Sequence, residues 1–375
     1  MIEIVIGIAA VLILVILLLL FRINTLVGVV RGSYTKTAGL SNKINAVGFI
    51  IFLIVGVFLF FWYSNVASDH YLPKAVSDHG IRTDRMFWIT MAILCFAFIV
   101  TNIFLFFFAF KYQHSDNRKA YFYPDNSKLE LIWTVIPAIV MAILVFYGWK
   151  EWSLITSPPP AESEVVEIMG KQFAWQVRYP GKDNELGGYN FQLIDPSNEF
   201  GIDFKDKNSF DDFIPTEIHI PKGKPILFKI RARDVLHSVF APHFRLKMDA
   251  VPGMPTKFWF TPNKTTQEIR DELGNPEFNY EIACTEVCGR GHFAMRFLIV
   301  VEEEEDYEKW YTTQKTFVEM NKEYVSTKTP DNLKYLIGNM NDTTTIPVPV
   351  KNIIPSGDSL TKDSAKTKNF QALTN

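Results

Sequence analysis

Four stretches of this chain contain no charged residue: Ile4–Phe21, Ile44–Ser68, Met86–Phe110 and Leu131–Trp149. Their cores are near-continuous Leu, Ile, Val and Phe. Each is close to or beyond the roughly 20 apolar residues that carry a helix across the hydrocarbon core of a bilayer. A buried helix of a soluble protein needs one apolar stripe, and soluble cores rarely supply four such runs in one chain. The pattern predicts four membrane-spanning helices. The first run differs from a secretory leader. Met1-Ile2-Glu3 ahead of it is acidic, and neither a small-x-small cleavage pattern nor a lipid-attachment Cys follows Phe21. It is read as a retained helix.

The loops set the orientation. Segment 22–43 holds four basic and no acidic residues, 64–85 holds three of each, and 111–130 holds four basic against three acidic. Lys and Arg accumulate on the cytoplasmic side. The first and third loops are therefore expected inside, with both termini and everything after Trp152 outside. The net charge of -2 averages two unlike halves. Residues 1–152 carry 12 basic and 8 acidic side chains, and residues 153–375 carry 26 and 32. No basic excess marks a nucleic-acid binder.

After Ser157-Pro158-Pro159-Pro160, a stiff exit from the membrane, the pattern changes to short alternating segments. Residues 164–169, 173–179, 217–220, 226–232, 257–261 and 297–301 read as strands, separated by Pro/Gly/Asn/Asp clusters. This spacing predicts a β-sandwich or barrel over about 161–305. An insertion, 182–215, interrupts it. Residues 183–212 hold eight acids and two lysines, which fits either a solvated loop or a face that attracts a basic partner. A helix over 307–324 and then a polar, flexible tail are expected at the end. The domain boundaries on this reading are 1–68, 69–152, 161–305 and 306–375.

The chain has three cysteines. Cys95, inside the third apolar run, reads as a core residue. Cys284 and Cys288 lie in a segment that also holds His292 and Met295. An exported pair of cysteines often forms a disulfide, but that leaves the imidazole and the thioether without a role. Zinc has no use for a thioether. Thiolate, imidazole and a weak Met together point to copper. A mononuclear blue-copper site uses one Cys, whereas two thiolates bridging two coppers would use both, each metal capped by one His. The second His is sought among His70, His79, His114, His219, His237 and His243. His237 is favoured, placed where the strand around Ile230 ends and a loop begins. His219 reads as structural, and His70, His79 and His114 as loop residues of the membrane region.

These motifs resemble subunit II of haem-copper cytochrome c oxidases. The resemblance rests on Asp234-Val-Leu-His-Ser, on 246–253 ending in Val-Pro-Gly, on 284–295, and on 129–138 at the start of the last apolar run. It implies a membrane-anchored all-β protein, with a cupredoxin-like Greek-key domain after the helices. It implies a dinuclear CuA centre in which Cys284 and Cys288 bridge, His237 and His292 each cap one copper, Met295 is a weak ligand to one, and the Glu286 carbonyl to the other. The Glu286 side chain would share a Mg2+ or Mn2+ with subunit I. Glu130 would lie at the mouth of a proton path. The implied function is to take electrons from cytochrome c and pass them to the haem of subunit I, which reduces O2 to water and pumps protons. The implied partners are other oxidase subunits; the extra helices in 1–68 and the tail point to a bacterial inner membrane, and those helices are expected to pack on another oxidase subunit or on a neighbouring cytochrome bc complex.

Two features depart from the family pattern. Where relatives carry an electron-entry Trp after Gly-x-Gln, this chain has Phe173. Trp175 lies two residues on, expected on the same side of a strand, so both are candidates. Most relatives also have two helices before the β-domain, and the pair in 1–68 is extra.

Overall fold

The computed structural model describes residues 2–32, 40–114 and 118–338. Its first part is four helices: α1 (Ile2–Val30), α2 (Leu40–Val66), α3 (Asp78–Lys111) and α4 (Ser127–Ile155). All four are long and apolar enough to cross a membrane. Their Leu, Ile and Phe side chains stay exposed along most of each helix, as lipid-facing surfaces require.

The helices outrun the charge-free runs because polar turns extend them. Ser77 caps α3 by accepting from the Gly80 N–H at 3.0 Å, and Asn126 caps α4 by accepting from Leu129 at 3.1 Å. Arg22 therefore lies within α1 and not in a loop. His79, expected in a loop, lies in the first turn of α3 with its ring 4.4 Å from Trp259. α2 packs on α3 through Phe49 and Phe52 against Phe106 and Phe60 against Phe98, with ring centroids 5.6–6.1 Å apart.

Nine strands follow: β1 (Glu164–Lys171), β2 (Ala174–Arg178), β3 (Ile218–Pro221), β4 (Ile226–Ala232), β5 (His237–Ala241), β6 (Leu246–Ala250), β7 (Thr256–Phe260), β8 (Tyr280–Cys284) and β9 (Arg296–Glu302). They form a four-stranded sheet, β2-β1-β4-β7, and a five-stranded sheet, β3-β9-β8-β5-β6. Two pairings, β1 with β4 and β3 with β9, are parallel. Inward rows from both sheets make the core: Val166, Ile168, Phe228 and Ile230 from one, Ile220, Val239, Ile282 and Ile299 from the other, all buried. Each such side chain contributes about 1.5–3 kcal/mol on burial.

Six of these strands match the alternation in the sequence. β5, β6 and β8 were not expected. Each is only five residues long, and β5 begins at His237 and β8 ends at Cys284, which read as loop ligands. His237 consequently does not close the strand around Ile230. It opens β5, whose neighbours in the sheet are β8 and β6.

The described residues group into two compact units, Met1–Val177 with Pro215–Thr313, and Arg178–Ile214 with the chain from Gln314 onward. Helix α5 (Thr266–Leu273), with a capping box of Thr265 and Glu268, and helix α6 (Glu304–Thr313) belong to the first. The expected helix over 307–324 is broken: α7 (Phe317–Met320) and α8 (Lys322–Lys328) belong to the second unit. The tail beyond Gly338 lies outside the described residues.

The second unit answers the question posed by the acidic insertion, which is not a solvated loop. Phe200, Phe204, Phe210, Phe213, Phe317 and Val318 are buried in it, and Tyr179 stacks on Phe213 at 5.0 Å. Its acids build turns. Asp183, Asp195, Asp203 and Asp206 each accept a backbone N–H two residues on, at 2.8–3.1 Å. Such Asx-turns are the reason Asp concentrates where a chain bends repeatedly. Asp212 instead forms a buried ion pair with Arg178 at 3.0 Å, the two side chains 0% and 1% exposed.

Candidate metal centre

The centre is built where the inward rows of two strands run out. His237 continues the row of Val239 and Ala241, and Cys284 the row of Tyr280 and Ile282. Period-2 alternation therefore buries both, with His237 0% and Cys284 8% exposed. Val239 pairs with Cys284 across β5 and β8. That register brings together two residues far apart in sequence. The turn from β8 to β9 supplies the rest. It is held by Cys284 N–H to Met295 O at 3.1 Å and Thr285 N–H to Ser238 O at 3.2 Å.

Within this turn the donors converge. Cys284 Sγ lies 3.9 Å from His237 Nδ1, and Cys288 Sγ lies 3.6 Å from His292 Nδ1. Met295 Sδ is 3.3 Å from Cys288 Sγ, and the Glu286 carbonyl is 3.3 Å from Cys284 Sγ. The ligand atoms of His237, Cys284 and Cys288 all lie within 4.8 Å of one another. Both thiols are free rather than joined in a disulfide. Burial pushes the Cys288 thiol up to about 11, helped by the adjacent Cys284. A copper ion held here would bind the sulfur as thiolate, so its binding would be linked to release of a proton. Two soft sulfurs, two imidazoles, a thioether and a carbonyl fit copper and exceed what zinc uses.

Asp234 orients His237. Its Oδ1 lies 2.9 Å from His237 Nε2, which leaves Nδ1 facing Cys284. Burial opposes charge on this carboxyl. The N–H of Gln172, the His237 ring and the N–H of Val235 outweigh it and hold its pKa below the ordinary value. This role was not assigned from the sequence, although Asp three residues before a ligand His is a signal for it.

The other expected site residues are placed as follows. Phe173 is 41% exposed and lies over the Cys turn: a Cβ on Gly291 would come 2.5 Å from its ring. Trp175 is 3% exposed, its ring edge-on to His237 at 5.9 Å. The two do not share a side, because β2 begins at Ala174 and Phe173 belongs to the turn before it. Glu130 is exposed in the first turn of α4, where a helix N-terminus favours a carboxylate. His243 is not part of the cluster. It sits against Phe278 and Tyr280, where burial pushes its pKa down to about 4. His219 is structural as expected, between Glu217 and Glu302 at 3.1 Å and stacked on Trp310.

Comparisons with known proteins show the family of the chain. Residues 66–150 match the family model of the cytochrome C oxidase subunit II transmembrane domain, and residues 164–303 that of its periplasmic domain. The alternative cytochrome c oxidase subunit 2 of Bradyrhizobium diazoefficiens is 34% identical over 281 residues, covering 72% of this chain and 93% of that protein. Cytochrome c oxidase subunit 2 of Thermostichus vulcanus is 26% identical, covering 68% and 82%. Similar solved structures include the periplasmic domain of subunit II of cytochrome oxidase from Bradyrhizobium japonicum. It is 23% identical with a TM-score of 0.29, covering 42% of this chain and 96% of that one. The fold is the expected one, apolar helices followed by a cupredoxin-like sandwich. Identity above 30% along nearly the whole of a relative, with both parts matched by subunit II models, shows that this chain belongs to the cytochrome c oxidase subunit II family, and is a copper-binding electron-transfer subunit of a membrane-bound terminal oxidase.

Proposed function

We propose that His237, Cys284, Cys288, His292, Met295 and the Glu286 carbonyl hold a dinuclear CuA centre. The observation that carries this reading is the pairing of each imidazole with its own thiol, at 3.9 and 3.6 Å. A mononuclear site would draw both imidazoles to one sulfur. Copper held by these residues would supply one-electron transfer. The chain's part is to keep the donors fixed: the rigid strands β5 and β8 carry His237 and Cys284, and Asp234 sets the His237 tautomer. In the intact oxidase, EPR of this centre should show a hyperfine pattern from one unpaired electron shared by two equivalent coppers. A single-copper pattern overturns the dinuclear reading.

Electrons arrive from cytochrome c at the face around Phe173 and Asp234. Phe173 is the exposed ring above the Cys turn, and Trp175 lies inside, against His237. The negative charge of the exported half, together with Asp234, attracts a basic donor. Reduction by cytochrome c should slow by roughly tenfold or more as salt rises from about 0.01 to 0.5 M, since the Debye length shrinks severalfold. A rate indifferent to salt counts against this docking.

Electrons leave for the haem of subunit I. The Glu286 side chain faces that subunit and shares a Mg2+ or Mn2+ with it, and Glu130 lies at the mouth of a proton path. The setting is a bacterial inner membrane, with the sandwich and both termini on the periplasmic side. Helices α1 and α2 pack on another oxidase subunit or on a cytochrome bc complex.

A further inference from the structure

We infer that Gln172 is a positioning residue of the copper site, a clasp that ties the two ligand-bearing segments to each other. The inference rests on the reading that this pocket holds copper. Gln172 lies in the turn between β1 and β2, on neither ligand segment. Its backbone N–H donates to Asp234 Oδ2 at 2.7 Å, while Asp234 Oδ1 holds His237 Nε2 at 2.9 Å. Its side-chain amide Nε2 donates to the Cys288 carbonyl at 2.6 Å. One residue therefore reaches the His237 segment with its backbone and the Cys288 turn with its side chain.

The topology gives this contact its weight. β1 belongs to the four-stranded sheet, and β5, β8 and β9, which bound the ligand segments, belong to the five-stranded sheet. The two sheets meet through side-chain packing, which resists compression but tolerates sliding, and through a few hydrogen bonds such as Thr256 Oγ1 to the Asp249 carbonyl at 2.6 Å, from β7 to β6. A hydrogen bond fixes direction as well as distance. At the copper end of the sandwich, Gln172 supplies one such bond to the β4–β5 connection that leads to His237 and one to the Cys288 turn of the other sheet. The next residue reinforces the contact. The Phe173 ring lies against Gly289 and Gly291, and a Cβ at either would come within 2.9 and 2.5 Å of it. Ligands from separate segments must be held to a fraction of an ångström, and the groups behind them do the holding.

Gln172 is exposed, so its substitution removes the clasp without opening the core. Gln172→Glu and Gln172→Met both lose the donor to the Cys288 carbonyl and keep the backbone N–H to Asp234. The test uses the full chain in its assembled oxidase. Release of copper to a copper(I) chelator after reduction is timed, alongside EPR of the oxidised site. Both variants should release copper about tenfold faster than the wild type, the lower end of what loss of an outer-shell partner costs in metal affinity. Their EPR should show the hyperfine couplings displaced from the wild-type values. Wild-type release rates with an unchanged spectrum in both variants overturn the clasp. A single-copper spectrum in the wild type overturns the dinuclear reading alone, because the release ratio still reports on the clasp.

Discussion

Cys288→Ser is expected to cost the protein its copper. The Cys288 sulfur meets His292 Nδ1 at 3.6 Å and Met295 Sδ at 3.3 Å, and its ligand atom lies within 4.8 Å of those of Cys284 and His237. A serine hydroxyl occupies nearly the same volume, but it is a hard ligand that does not ionise near neutral pH. Soft thiolate is what selects copper here. Removing an outer-shell partner typically costs about 10–100-fold in metal affinity, so loss of a ligand should exceed about 100-fold. Metal analysis of the purified oxidase should find the centre depleted, with the shared-electron EPR pattern gone and electron entry from cytochrome c lost. Cys95→Ser, within α3 and remote in sequence from the ligand segments, should leave all three intact. Retention of full copper and an unaltered spectrum in Cys288→Ser would refute the ligand assignment.

The second large effect lies in the other compact unit. Asp212→Ala is expected to unfold it. The Arg178–Asp212 pair is 3.0 Å long with both side chains at most 1% exposed, and Asp212 Oδ2 also accepts from the Gly187 N–H at 3.2 Å. Truncating one member of a buried pair costs about 3–5 kcal/mol, because the remaining charge keeps its desolvation penalty without its partner. A small unit has little more than about 5 kcal/mol to lose. Limited proteolysis within 178–214 should speed up by about two to three orders of magnitude. Cleavage at the wild-type rate would show that the pair is dispensable. Asp212→Asn, which keeps an oxygen for Gly187 and a neutral partner for Arg178, should fall between the two.

Much of this protein is legible along the chain because a bilayer and a metal site each impose local rules. A bilayer offers no hydrogen bonds, so a crossing segment must be both long and apolar, and the runs around Leu12, Phe52, Phe98 and Ile139 announce themselves. Metal chemistry gives the other rule: soft donors go together, and Cys284, Cys288, His292 and Met295 stand within one turn.

The acidic insertion is the counter-example. Its charge is visible in sequence, but the use of that charge is not. Asp183, Asp195, Asp203 and Asp206 hold their own backbone turns, and Asp212 neutralises Arg178. Only the folded chain separates an acid that faces solvent from an acid that closes a turn.

Phe173 and Trp175 teach the same lesson on a smaller scale. Alternation would put them on one side, yet one ring is exposed above the Cys turn and the other is buried beside His237. The boundary of β2 at Ala174 decides this, and that boundary is set by the turn through which Gln172 reaches Asp234 and the Cys288 carbonyl.

The sequence by itself determined the four apolar helices, the clustering of Cys284, Cys288, His292 and Met295, and the family, since each is written in residue types at short spacing. The tertiary structure alone decided that His237 opens a strand next to β8, that each imidazole takes its own thiol, and that Asp234 and Gln172 stand behind them. The contacts of Cys284 with His237, and of Gln172 with Asp234 and Cys288, join segments dozens of residues apart, fixed by strand register and side-chain packing, and no local pattern in the chain encodes them.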